Sequence, residues 1–225
     1  KRSDVRGFYN YLAEERHVKV NTIDNIHTTA SSHRRVFVVE IMGHKVGWVT
    51  LHAGMAGGAD IVLLPEIPYD IDVVTEAIDR RIATGKHFTI IAVAEGALSK
   101  EEAKLSKKEL KERQAKKKYP SVAYKLAEEI RQRTDQEVRV TVPGHMQRGG
   151  SPCAYDRVLA TRLGAFAARL ILNQTYGYMV AIKNGETTKV PLEEVAGKLK
   201  MVDPNAGIIK EAELIGISFG RRTKK

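Results

Sequence analysis

Between Glu137 and Pro152 the chain reads EVRVTVPGHMQRGGSP. Its first six residues place a valine at every second position, the pattern of a strand. Pro143 and Gly144 stop that run, and Gly149-Gly150 let the backbone take a positive φ or come close to a ligand. Ser151 suits an N-cap and Pro152 the first turn of a following helix. A helix start favours an anion. Arg148 can hold a phosphate through two hydrogen bonds, with His145 as a further donor. The same residues also make an ordinary strand-to-helix turn whose arginine faces water. Residue chemistry alone leaves both readings standing.

The rest of the chain repeats this strand–loop–helix unit. VFVVEI (Val36–Ile41), DIVLLPE (Asp60–Glu66) and FTIIAVAEG (Phe88–Gly96) are short apolar runs rich in β-branched residues, and they predict three more strands. KVGWVTLHAGMAGGA (Lys45–Ala59) and DIDVVTEAIDRRIATG (Asp70–Gly85) predict helices, the second with Gly85 at its C-terminal cap. Further helices are expected over Asp4–Arg16, over Tyr119–Thr134 with Ser121 as N-cap, and over Ser151–Asn173. YGYMVAIKNGETTKV (Tyr176–Val190) reads as two strands around an Asn184-Gly185 turn. Uniformly apolar strands alternating with helices imply an α/β fold, a largely parallel sheet covered on both faces. Ligands in such sheets bind beyond the carboxyl ends of the strands. Those ends carry Glu40-Ile41-Met42-Gly43-His44, Pro65-Glu66, Glu95-Gly96 and the opening loop.

Composition narrows the class. The chain has 225 residues, 43% hydrophobic and 28% charged, enough for a sizeable core in a soluble globular protein. No apolar run approaches the roughly 18 residues of a membrane span. The opening KRSDVRGFYNYLAEE lacks the apolar core of a signal peptide. Cys153 is the sole cysteine, which excludes an intrachain disulfide framework and fits a reducing compartment. A cytoplasmic location without membrane contact is therefore expected. The net charge is +10, and Leu98–Lys118 holds eight lysines and one arginine against four glutamates. That segment predicts one solvated helix. No RNP strand, zinc-finger spacing or helix-turn-helix supports a nucleic-acid partner. No HExxH or EF-hand pattern points to metal ligands.

Several polar residues remain candidates with two readings each. In NTIDN (Asn21–Asn25), Asp24 suits a general base with Thr22 orienting a substrate, or an Asx turn. His44 stands near a helix start, where it can meet an anion or simply face water. Arg35 and Arg139 can bind phosphate or form surface ion pairs. Glu95 can grip sugar hydroxyls or accept hydrogen bonds from its own scaffold.

Taken together, TIDN, HTTASSHRRVFVVEIMGHKVGW, AGGADIVLLPE, IIAVAEG and VRVTVPGHMQRGGSPCAYDRVLATRLGAFA occur in an order that resembles phosphofructokinase. The likeness runs over most of Asn21–Ala167, with a weaker tail in YGYMVAIKNGETTKVPLEEV. It implies two Rossmann-like three-layer domains with largely parallel sheets. Residues 26–149 and 201–225 would form the fructose 6-phosphate-binding domain, and 1–25 with about 150–200 an incomplete phosphoryl-donor domain. It implies a 6-phosphofructokinase that moves a phosphoryl group from ATP to the 1-hydroxyl of fructose 6-phosphate in glycolysis, with Mg2+. A pyrophosphate-dependent enzyme and a silent sugar-phosphate-binding subunit are the alternatives. Asp24 matches the catalytic base, with Thr22 beside the transferring phosphoryl and Ile23 between them. Met42, Gly43 and His44 match the segment lining the sugar and the transferred phosphoryl, and Glu95 the carboxylate on sugar hydroxyls. His145, Met146, Gln147 and Arg148 match the grip on the 6-phosphate and the transition state. Arg35 and Arg139 match arginines that reach the 6-phosphate from a neighbouring subunit, which implies a homodimer or homotetramer. Glu66 and Lys86 match effector-site positions.

Three departures from the family pattern stand out. His44 occupies the place of a usual arginine, and a neutral imidazole stabilises phosphoryl charge less well than guanidinium. The glycine-rich donor stretch with its magnesium-linked aspartate is missing. TIDN runs straight into IHTTASSHRR, so sequence is expected to be missing at Asn25–Ile26 and near Val20–Asn21. Asn21 itself, before TIDN, matches neither the glycine of many ATP users nor the lysine of pyrophosphate users.

Overall fold

A computed structural model describes residues 35–106, 108–110, 112 and 118–222. They divide into two units, 35–149 with 201–222, and 150–200. The first unit begins with β1 (Arg35–Ile41), α1 (Trp48–Ala56), β2 (Ile61–Leu63), α2 (Ile71–Ala83) and β3 (Phe88–Ala94). It continues with α3 (Val122–Arg131) and β4 (Glu137–Thr141). The second unit holds α4 (Ala154–Leu172), β5 (Tyr178–Lys183), β6 (Glu186–Pro191) and α5 (Leu192–Val195), after which α6 (Gly207–Leu214) returns to the first. The expected helix at Asp4–Arg16, the TIDN segment and the Asn25–Ile26 join lie outside the described residues.

In the first unit the strands form a parallel sheet in the order β2-β3-β1-β4. Side chains alternate along β1 between two buried clusters. Phe37, Val39 and Ile41 join Leu51 of α1 and Ile209 of α6, while Val36 and Val38 join Val74 and Ile78 of α2 and Leu126 and Ile130 of α3. Helices therefore cover both faces, which is why β1 is apolar throughout rather than at every second residue. α2 has Asp70 at its N-cap, where the carboxylate accepts from Asp72 N at 3.0 Å, and Gly85 follows the helix end at φ +77°. The helix boundaries there are those the sequence predicts.

Two local expectations are corrected, and a third, Ser121 as N-cap of α3, holds in position without the side-chain bond. Glu40 at the end of β1 makes that bond instead, its Oε2 accepting from Ala123 N at 2.8 Å. A carboxylate placed by the sheet displaces the local cap. The charged segment is not one helix. Glu102–Lys104 is a short 3-10 turn, and Leu105 leaves it in extended conformation. Ser99 and Glu102 exchange side-chain-to-backbone hydrogen bonds, and Ser106 and Glu109 repeat the exchange. Two reciprocal capping boxes divide the run, because each Ser-x-x-Glu specifies a new start. Finally, Ser151 and Pro152 are loop. α4 starts at Ala154 with Cys153 in the N-cap position.

In the second unit β5 and β6 pair antiparallel with Lys183 opposite Glu186. Asn184 and Gly185 turn between them at φ +53° and +80°. Both central residues need positive φ in this turn, which is why Asn-Gly predicts it. The 19 residues of α4 include none that is buried, and Tyr155, Val158, Ile171 and Leu172 are exposed.

Candidate active site

The carboxyl ends of β1, β3 and β4 bring together most of the predicted residues the structure describes. After β1 the chain runs through Met42 and Gly43 into His44, which takes φ +55°. Histidine tolerates this left-handed region better than branched residues do. The turn closes with Val46 N donating to Gly43 O at 3.0 Å. Glu95, just beyond β3, holds it from one side: Oε1 accepts from Gly43 N at 3.2 Å and from His44 N at 2.6 Å. Glu95 N donates to Ile41 O at 3.0 Å, which extends the β1–β3 ladder. Gly96 lies so close that a Cβ built there would overlap the His44 carbonyl oxygen.

On the other side of β1 lies the loop after β4. Gly144, at φ +55°, opens a 3-10 turn over Gly144–Arg148. Three residues make one turn of such a helix, so His145 and Arg148 share a side and Gln147 faces elsewhere. His145, Met146 and Arg148 are exposed, and Gln147 is partly buried against the end of β1. Gln147 Oε1 accepts from Met42 N at 3.2 Å, and Nε2 donates to Glu40 O at 3.4 Å. Thus the His145–Arg148 turn and the Met42–His44 turn are tied to one strand end, with His44, His145 and Arg148 presented to solvent. That arrangement suits an anionic ligand.

Arg35 and Arg139 do not join this cluster within one chain. Arg35 opens β1, and at about 3.3 Å per residue its Cα is about 20 Å from the strand's far end. Glu137 lies opposite Arg35 in the register and binds both arginines. It takes Arg35 Nε at 2.6 Å and Arg139 Nε and Nη2 at 2.6 and 2.5 Å. The hydrogen bonds from Arg35 first, then Arg139, hold the Glu137 carboxyl below the usual glutamate range. Surface ion pairs are the second of the two readings the sequence left open for Arg35 and Arg139; that Glu137 is the shared partner had no signal beyond the alternation in EVRVT. Lys86 sits beside Arg35 and His87 at this same amino end. Glu66 follows β2 at the carboxyl end, where Oε1 accepts from Gly47 N and Val202 N at 3.0 Å each. The two predicted effector positions therefore do not meet in one chain. Thr22, Ile23 and Asp24 lie outside the described residues.

Among the described residues no three histidine, cysteine or carboxylate side chains converge as a metal site. No helix among them is long and apolar enough to cross a membrane.

The chain is similar over 203 residues to the ATP-dependent 6-phosphofructokinase of Spirochaeta thermophila. The two are 49% identical, over 90% of this chain and 56% of that protein. It is 43% identical to ATP-dependent 6-phosphofructokinase 3 of Bacteroides thetaiotaomicron, over 90% of this chain and 55% of that one. It thus spans about half the length of the curated relatives it matches. Among solved structures it resembles phosphofructokinase from Saccharomyces cerevisiae, with a TM-score of 0.65 and 33% identity over 82% of this chain and 23% of that one. The pyrophosphate-dependent phosphofructokinase of Marinobacter aquaeolei shares the fold, with a TM-score of 0.67 at 19% identity over 87% of this chain and 50% of that one. The family model described as Phosphofructokinase matches residues 16–171, a span that takes in the strand ends, the Gly144–Arg148 turn and nearly all of α4, and the chain belongs to that family.

Proposed function

We propose that the full-length protein is an ATP-dependent 6-phosphofructokinase that forms fructose 1,6-bisphosphate from fructose 6-phosphate. The observation that carries this reading is the 49% identity to a protein of that name across the strand ends and the opening loop. In this reading the first unit is the sugar-phosphate domain and the second a part of the donor domain. Arg148 and His145 hold the 6-phosphate, and the Met42–His44 turn lines the sugar and the incoming phosphoryl group. Glu95 both shapes that turn and accepts sugar hydroxyls. Asp24 takes the proton of the 1-hydroxyl as its oxygen bonds to the γ-phosphorus and the bond to ADP breaks. Such transfer depends on positioning and positive charge more than on covalent help. Mg2+ would accompany the donor and offset the charge of its phosphates. Arg35, at the amino end of β1, and Arg139, whose side chain is held by Glu137 near that end, would serve the site of a second copy, which makes the protein a homo-oligomer.

The test is coupled turnover of fructose 6-phosphate by the full-length protein with Mg2+ and either ATP or pyrophosphate. ATP-dependent turnover that falls about 100-fold or more in Asp24→Asn is expected for loss of a general base. Turnover with pyrophosphate alone would assign the other donor. Sugar-phosphate binding without turnover on either donor would make the chain a silent subunit, the reading that His44 in place of an arginine favours.

A further inference from the structure

The ladder between β1 and β4 ends with Val39 opposite Thr141. Continued by two residues, that register sets Ile41 opposite Pro143. In a parallel pair the residue opposite Ile41 donates its N–H to Glu40 O and accepts from Met42 N–H. Proline has no N–H to give. Its carbonyl is also engaged elsewhere, accepting from Met146 N at 3.3 Å to start the 3-10 turn. Both ladder groups of β1 would thus lose their partner just where the strand becomes the Met42–His44 turn. They are met instead by Gln147, whose Nε2 donates to Glu40 O and whose Oε1 accepts from Met42 N. A primary carboxamide carries the same donor and acceptor as a backbone peptide.

We propose that Gln147 is a positioning residue whose side-chain amide replaces the peptide group of Pro143 in the sheet and so sets the His145–Arg148 turn against the Met42–His44 turn. The other groups of the loop face away from this gap in the ladder or only bend the chain. His145 and Arg148 lie on the exposed side, Met146 is exposed, and Gly144 makes the bend. Gln147 acts on sugar phosphate only through the residues it aligns. The proposal rests on the reading of this site as a sugar-phosphate site, and its first test is independent of that reading.

The experiment compares wild type with Gln147→Leu and Gln147→Glu in the full-length protein, by amide hydrogen exchange without ligand and by steady-state kinetics. Leucine removes both bonds; glutamate keeps the acceptor for Met42 N–H and loses the donor to Glu40 O. The Met42 amide should exchange at least about tenfold faster in Gln147→Leu and stay protected in Gln147→Glu, while the melting midpoint barely moves. The KM for fructose 6-phosphate should rise about tenfold or more in Gln147→Leu, with the KM for the phosphoryl donor unchanged. Unchanged Met42 exchange in Gln147→Leu overturns the ladder role. Faster exchange with an unchanged sugar-phosphate KM overturns the positioning role, and so does a rise in both KM values with a collapsed melting midpoint. If wild type binds fructose 6-phosphate but does not turn it over, the same comparison is read on its Kd by calorimetry. If it does neither, the functional reading and the positioning role fall together, while the exchange data still judge the ladder.

Discussion

At the carboxyl end of the first unit's sheet, Glu95, Glu40 and Gln147 are engaged with backbone groups of neighbouring loops and helices. At the amino end, Arg35, Glu137 and Arg139 pair with one another at the surface. These side-chain-to-backbone hydrogen bonds, buried at Glu40, partly buried at Gln147 and exposed at Glu95, are formed within the chain itself. Exposed ion pairs contribute little and exchange partners readily. The carboxyl end is thus a preformed cradle, and the amino end is a reserve of positive charge held by a replaceable carboxylate. In the proposed reading, one sheet contributes recognition to its own site and charge to that of a second copy.

The contrast predicts a gradient of effects. Gly96→Ala should be the most damaging, since its methyl group would press into the His44 backbone, not a side chain that can swing away. A loss of about 3 kcal/mol in urea unfolding is expected, as for other overpacked positions. Glu40→Ala should cost about 2 kcal/mol by leaving the Ala123 N–H of α3 without its acceptor, with Glu40→Gln recovering most of it. Asp70→Ala, at the N-cap of α2, should cost about 1 kcal/mol. Its hydrogen bond from Lys100 at 2.9 Å is the main cause of a carboxyl pKa held below the ordinary 3.8. A lowered folded value means the unfolded chain binds the proton more tightly. The Asp70 contribution is therefore complete above about pH 4 and fades as pH falls through the lower folded value. Stability of wild type and Asp70→Ala should converge below that point, and a gap that persists in strong acid would refute the assignment. Glu137→Gln should leave the melting midpoint unchanged and lower the KM for fructose 6-phosphate at low salt, because the carboxylate no longer competes for Arg35 and Arg139. If Glu137→Gln destabilises the protein as much as Glu40→Ala does, the contrast between the two ends is wrong.

The two units differ as well. Valine and isoleucine on both faces of β1 mark a strand buried on both sides, and that was readable because the pattern lacks any polar face. Asn184-Gly185 announced its hairpin for a local reason, since both residues accept positive φ. α4 could be read as a helix from its length and spacing, yet nothing in its sequence tells which groups would cover Tyr155, Val158, Ile171 and Leu172.

The amino-acid sequence by itself determined the order of elements, the parallel character of the sheet, the hairpin and the family, because these follow from local periodicity, turn chemistry and the spacing of motifs. It also marked the GHMQRGG loop and the EIMGH strand end as the places where chemistry gathers. Only the tertiary structure decided which polar atoms serve the scaffold. Glu40 replaces Ser121 as the cap of α3, Gln147 stands in for the peptide of Pro143, Glu137 holds both predicted phosphate arginines, and Ser151 caps nothing. Each of these depends on the register between strands distant in sequence. A hydrogen bond is made with whichever group the sheet brings within about 3 Å, and one-dimensional spacing carries no record of that register.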